Sequence, residues 1–141
     1  MTFEIRDADV ADADAIVELI ADLGHTMSAD LVSQRIETLQ LADRPQLVAV
    51  SDGRVIGVCG LHIMTAIHRP LPVGRITILE VAKEFRGQGI GRALVAAAER
   101  GLREAGCGLM ELTSNERLVE AHGFYRQLGL EHTSKRFAKP L

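Results

Sequence analysis

The run Val81-Ala82-Lys83-Glu84-Phe85-Arg86-Gly87-Gln88-Gly89-Ile90-Gly91-Arg92-Ala93-Leu94 decides how this chain is read. A β-branched stretch from Arg75 to Val81 leads into it, and an amphipathic helix leaves it at about Ile90. Between the two lies a turn rich in Arg and Gly. Strand, glycine turn and helix together hold a phosphate chain. The glycines let the backbone approach closely, the free amides of the helix start point at the anion, and the helix dipole favours negative charge. The sequence therefore points to a ligand that carries a pyrophosphate.

Upstream of the motif, Phe3 to Arg6 reads as a short strand. Asp9 or Asp12 can cap a helix running to about Leu23, with Ile16, Leu19, Ile20 and Leu23 on one face and Gly24 just past its end. A second helix is expected to start after Ser28 and run to about Leu41, with Leu31, Ile36 and Leu39 inward. Gln46 to Val50 and Arg54 to about Ala66 form a hairpin around Ser51-Asp52-Gly53, and Ile67 to Gly74 is a loop. Downstream, Ile90, Leu94, Ala97, Ala98, Leu102 and Ala105 share a helical face, stopped by Gly106 and Gly108. Leu109 to Thr113 is a strand, Leu118 to Leu128 a helix, and Leu130 to about Ala138 terminal strand structure. This order of elements predicts one α/β (α+β) domain over residues 1–141, with a mixed central sheet flanked by helices.

Composition narrows the classes. The 141 residues are enough for a core, and 47% apolar with 25% charged residues is ordinary for a soluble protein. A net charge of -3 without a long basic block argues against nucleic acid as partner. No apolar run reaches the roughly 18 residues of a membrane helix, and the start of the chain does not read as a signal peptide. Cys59 and Cys107 read as buried free thiols, with a disulfide left open, and the expected location is cytoplasmic.

The glycines at 87, 89 and 91 do not fit the GxGxxG of a dinucleotide fold, nor the GxxxxGK of a Walker loop. What stands here is Arg86-x-x-Gly89-x-Gly91 behind a strand ending in valine. It resembles the acetyl-CoA-binding signature of the GNAT superfamily of N-acyltransferases, Q/R-x-x-G-x-G/A. Ala121-His122-Gly123-Phe124-Tyr125-Arg126-Gln127-Leu128-Gly129 resembles the A-x-x-F-Y-x-x-x-G segment of the same family. The tail from Thr133 to Leu141 is similar to the closing strand of small bacterial members. The resemblance covers nearly the whole chain.

That resemblance implies acetyl transfer from acetyl-CoA to a primary amine of a small molecule or peptide, by direct attack and with no metal. Four tasks follow: hold the pyrophosphate, deprotonate the amine, stabilise the oxyanion and reprotonate the sulfur. The resemblance assigns the cofactor contacts to Val81, Lys83, Arg86, Gly87, Gln88, Gly89, Ile90, Gly91 and Arg92. Arg86 reaches a phosphate or braces the loop. Val81 and Lys83 flank the pantetheine arm, and the Val81 N–H polarises the thioester. Tyr125 is the candidate general acid. A phenol of pKa about 10 protonates a thiolate of pKa about 8.5 only with help from its surroundings. Glu80, on the sheet face opposite Val81, is the first candidate base. Glu111, His62, His68 and His122 are weaker routes for the proton. Two departures touch the pantetheine contacts: Leu118 stands where many members carry Asn, with Asn115 nearby at another offset, and Gly123 interrupts the last helix.

The acceptor region shows no strongly acidic cleft of the kind a polycationic aminoglycoside favours. Acetylation of such a drug, of a small amine, of an amino acid and of a peptide N-terminus all stay open, and a homodimer is an expectation. Two other classes also stay open: a non-catalytic acyl-CoA-binding sensor, and an unrelated phosphate binder.

Overall fold

The computed structural model describes residues 1–114 and 118–141. Five strands form one sheet in the order β1-β2-β3-β4-β5: Glu4–Asp7, Leu47–Ser51, Arg54–Met64, Val73–Val81 and Leu109–Leu112. The first three pairings are antiparallel, and β4 runs parallel to β5. Helices α1 (Ala13–Ala21) and α2 (Ala29–Leu41) cover one face; α3 (Ile90–Glu104) and α4 (Val119–Gln127) pack on the other. This is the mixed, helix-flanked sheet that the order of elements predicts.

Two cores result, one per face. Ile16, Leu19, Ile20, Val32 and Ile36 meet Val48, Val50 and Val58 on the α1/α2 side. Ile90, Leu94, Val95 and Ala98 meet Ile56, Cys59 and Ile76 on the α3 side. Because successive strand residues point to opposite faces, β2 and β3 feed both cores and read as nearly continuous apolar runs.

The start of α1 is fixed by a carboxylate. Asp9 caps a short turn at Val10–Asp12 by accepting the Ala11 N–H, while Asp12 accepts the Asp9 N–H at 2.8 Å and a two-pronged hydrogen bond from Arg6 at 2.8 and 2.9 Å. Ser28 caps α2 through the Leu31 N–H.

Several expectations need correction. α1 ends at Ala21, so Leu23 lies outside it. The inward residues of α2 are Val32 and Ile36, while Leu31 and Leu39 are only half-buried on its flanks. Ala105 lies past the end of α3 and is exposed, and Val95 takes a core place instead. β3 ends at Met64 and β4 begins at Val73, because Val73 and Gly74 still pair with Met64 and Ile63. Residues 130–141 carry no strand and, past Leu130, are all exposed. Lys135, Arg136, Lys139 and Pro140 leave that segment without an apolar face to bury. Cys107 is half-buried rather than buried, and both cysteines are free.

Candidate active site

The decisive feature is where β4 and β5 separate. Their ladder runs from Val73↔Leu109 to Ile76↔Leu112 and stops. β4 continues to Val81, so residues 77–81 have no described strand beside them on that edge. The Ala82 N–H donates to the Ile56 carbonyl at 2.8 Å, which fixes the alternation. Glu80 and Ala82 turn their backbone groups toward β3; Leu79 and Val81 turn theirs to the open edge. A register shift at Gly60/Leu61 puts Thr77 out of the ladder and bends β4 at the fork.

Beyond Val81 the chain makes a short turn, Lys83–Phe85, and then the glycine loop. Gly87 and Gly89 hold φ of 77° and 83°, left-handed values that glycine adopts without strain, and an added Cβ at either would meet nothing within 4 Å. The backbone there is open to an incoming group. Gly89 is the N-cap of α3, and no side chain caps that helix start. Its first-turn amides, free of intrahelical partners, point into the same space. Gly91 has another role: a Cβ there would lie 3.3 Å from Phe124 and 3.9 Å from Val81. At this point the loop, the end of β4 and α4 touch.

The sequence profile of the acetyltransferase (GNAT) family matches residues 15–130. This chain belongs to the GNAT acetyltransferase family. It is 34% identical, over 98% of its length and 91% of the relative's, to the aminoalkylphosphonate N-acetyltransferase of Salmonella typhimurium. It is also 34% identical, over 93% of its length and 88% of the relative's, to the aminoglycoside N(6')-acetyltransferase type 1 of Stenotrophomonas maltophilia. Among solved structures, an aminoglycoside N-acetyltransferase in complex with CoA superposes with a TM-score of 0.86 at 22% identity, covering 99% of this chain and 95% of that one. The family makes this protein an acetyl-CoA-dependent acyltransferase.

Around the GNAT fork, Glu80 and Arg86 take up the backbone of Val81. Glu80 is 7% exposed; its Oε1 accepts the Val81 N–H at 3.1 Å and an Arg86 Nη2–H at 2.8 Å. Arg86 Nε donates to the Val81 carbonyl at 3.1 Å. Both open-edge groups of Val81 are thus held by side chains, and Arg86 reaches back along the strand, not outward. The second oxygen of Glu80 accepts no hydrogen bond from the described residues.

Tyr125 projects from α4, edge-on to Phe124 with ring centroids 5.5 Å apart. Burial holds its phenol above the ordinary value of 10.0, and the nearby Cys59 and Glu80 push it the same way. The phenol therefore stays protonated, as a donor. Cys59 itself is pushed up to about 12 by burial and is an inert core thiol.

The remaining sequence candidates fall around this centre. Lys83, Gln88 and Arg92 are exposed along the turn, the loop and the first turn of α3, and Ile90 is buried beneath them. Glu111 sits on β5, 3.5 Å from Arg75. His62 is exposed on β3 opposite Arg75, His68 lies exposed in the 65–72 loop, and His122 is half-buried on α4. Leu118 precedes α4 and is exposed, and Asn115 lies outside the described residues. Gly123 does not mark a close approach, since an added Cβ would meet nothing within 4 Å. Among the described residues no group of three or more His, Cys, Asp or Glu is placed to hold a metal, and no described helix is long and apolar enough to cross a membrane.

Sequence reasoning missed Arg54. Its guanidinium lies over the Phe85 ring, 5.2 Å from the centroid, and bonds Glu84, pinning the short turn before the loop to the β2–β3 hairpin. Arg54 and Glu84 are 30 positions apart, which left no local signal of that contact.

Proposed function

We propose that this GNAT enzyme acetylates a small primary amine, with acetyl-CoA lying along the open edge of β4. The observation that carries this reading is the fork itself. Residues 77–81 of β4 offer backbone groups with no strand beside them, and the strand runs straight into the uncapped start of α3. The pyrophosphate sits on the amides of residues 86–91, with Lys83 and Arg92 at the rim. The pantetheine amides pair with the open edge, as an added strand would. Val81 can offer its N–H and carbonyl to this arm only when Glu80 and Arg86 release them.

The amine attacks the thioester carbon from the α1/α2 side. A C–N bond forms, the C–S bond breaks, and the charge on the carbonyl oxygen is met by an open-edge N–H of β4. The amine proton passes along a chain of waters beside β4 to the free oxygen of Glu80, and the Tyr125 phenol returns a proton to the departing sulfur. Burial of Tyr125 favours its neutral, donating form. A small amine as acceptor is supported by the relatives, which are named for aminoalkylphosphonates and aminoglycosides. Two free cysteines fit work in the reducing cytoplasm. The open edge of β5 and the exposed tail are the surfaces a homodimer would use.

The test is a panel of primary amines incubated with acetyl-CoA, with free CoA thiol as the readout. Amine-dependent thiol release supports the reading. Tight acetyl-CoA binding without turnover on any amine would instead favour a sensor.

A further inference from the structure

At the apex of the fork the sheet carries a charge pair that the steps above leave unused. Arg75 and Glu111 are direct register partners, one position before the ladder ends. A Cβ on Gly74 would fall 2.6 Å from Leu102 of α3, so Gly74 faces α3 and Arg75 faces the opposite side. Elsewhere α1 and α2 cover that side, but here the described residues leave it partly open. The side chains of Arg75 and Glu111 are 34% and 37% exposed, and His62, Thr77 and Thr113 are exposed around them.

The pair is not closed. One arm of the Arg75 guanidinium donates to Thr113 Oγ1 at 3.1 Å, while the other stands 3.5 Å from Glu111 Oε1. In Arg6–Asp12 and Arg86–Glu80, whose carboxylates are buried, the same contact is closed to 2.8 Å. Arg75 is oriented by Thr113 and Glu111 yet keeps donors for a guest, and both charges face solvent.

We propose that Arg75 and Glu111 recognise the acceptor as a zwitterion: a primary ammonium on Glu111 and an adjacent acid group, such as a phosphonate or carboxylate, on Arg75. This rests on the acetyl-transfer reading and names its acceptor class. The pair lies at the end of the open edge farthest from the glycine loop. If the pyrophosphate is at the loop, the thioester end of the pantetheine comes toward the apex, and an amine docked on Glu111 faces it. A guanidinium fork matches an oxyacid in a way a lone ammonium does not. Side by side, the two charges also discriminate. A polyamine without an acid group meets the uncompensated charge of Arg75.

The experiment measures kcat/KM and, in the presence of CoA, calorimetric binding for 2-aminoethylphosphonate, ethanolamine and spermidine, with wild type, Arg75→Gln, Arg75→Lys and Glu111→Gln. Wild type is expected to favour 2-aminoethylphosphonate over ethanolamine at least tenfold. In Arg75→Gln that ratio falls at least tenfold, Arg75→Lys keeps part of it, and Glu111→Gln weakens both amines. Unchanged acetyl-CoA affinity shows that each variant is folded. The proposal is overturned if ethanolamine or spermidine is preferred by wild type, or if Arg75→Gln leaves the ratio unchanged. Failure of the acetyl-transfer reading looks different: acetyl-CoA does not bind, or no amine releases thiol, while the calorimetric preference for the phosphonate still reports on Arg75.

Discussion

Arg86 Nη2 lies 2.8 Å from Glu80 Oε1, and the same guanidinium donates through Nε to the Val81 carbonyl. The signature arginine is thereby tied to the last two residues of β4, and the glycine loop is set relative to the strand it follows. Glu80 is buried and Arg86 half-exposed. Removing Arg86 leaves a buried carboxylate with one donor fewer. Arg86→Ala is expected to lose about 1–3 kcal/mol of stability, and Glu80→Gln in the same chain to recover part of it. Urea unfolding of the two single variants and the double variant gives the coupling directly. Additive losses would mean that the two residues act separately.

Tyr125 is expected to matter for rate and not for donor binding. Tyr125→Phe keeps the ring against Phe124 and removes the proton. kcat should fall on the order of 10²-fold while the acetyl-CoA Kd stays within about twofold. A fall in affinity with unchanged kcat would make the residue a packing element. Burial holds the phenol above its ordinary value, so its ionisation, followed by ultraviolet absorbance, should have its midpoint above pH 10.0. The sign for stability follows. A raised folded value favours the folded chain below the unfolded phenol's pKa, and this contribution is lost as pH rises through the folded value.

The glycines of the loop separate by cause. Gly89→Ala adds a Cβ to open space at a φ of 83°, so its cost is backbone strain of about 1–2 kcal/mol, together with weaker acetyl-CoA binding. Gly91→Ala lies inside a helix and gains about 1 kcal/mol of propensity, offset by the contact at 3.3 Å with Phe124. It should stay within about 1 kcal/mol of wild type by thermal unfolding. Equal losses at the two positions would contradict this assignment.

The acid side of the stability profile should belong in part to Asp12. The hydrogen bond from Arg6, with a further one from the Asp9 N–H, holds its carboxyl below the ordinary 3.8. That stabilisation is present above the unfolded value and is lost as pH falls through the folded one. Asp12→Asn should therefore be less stable than wild type at pH 6 by about 1–3 kcal/mol and show a shallower decline between pH 4 and 2. Urea midpoints across that range measure it.

The parts of the fold set by local pattern were legible in the sequence. The apolar runs of β2 and β3, the helical spacing from Ile90 to Leu102, and the glycine spacing at 87, 89 and 91 each act within a few residues. So was the pairing of the loop with the Phe124-Tyr125 helix, through resemblance; the contact of Gly91 with Phe124 is its physical form. What was not legible depends on partners distant in sequence. The tail resembles a closing strand of the family, but Lys135, Arg136 and Lys139 give it no apolar face, and a strand also needs a neighbouring edge. Arg54 on Phe85 and Arg75 beside Glu111 depend on how strands register and where β4 leaves β5. No residue-level propensity encodes that fork.

The central claim is that the open edge of β4 and the glycine loop bind acetyl-CoA and pass its acetyl group to an amine. The most direct measurement is stoichiometric: free CoA thiol and acetylated amine quantified together by mass spectrometry, for wild type and Tyr125→Phe. Equal amounts of the two products from wild type, with a slow variant that still binds acetyl-CoA, are the predicted result. Wild type that does not bind acetyl-CoA, or that releases thiol without acetylating any amine, would contradict the account.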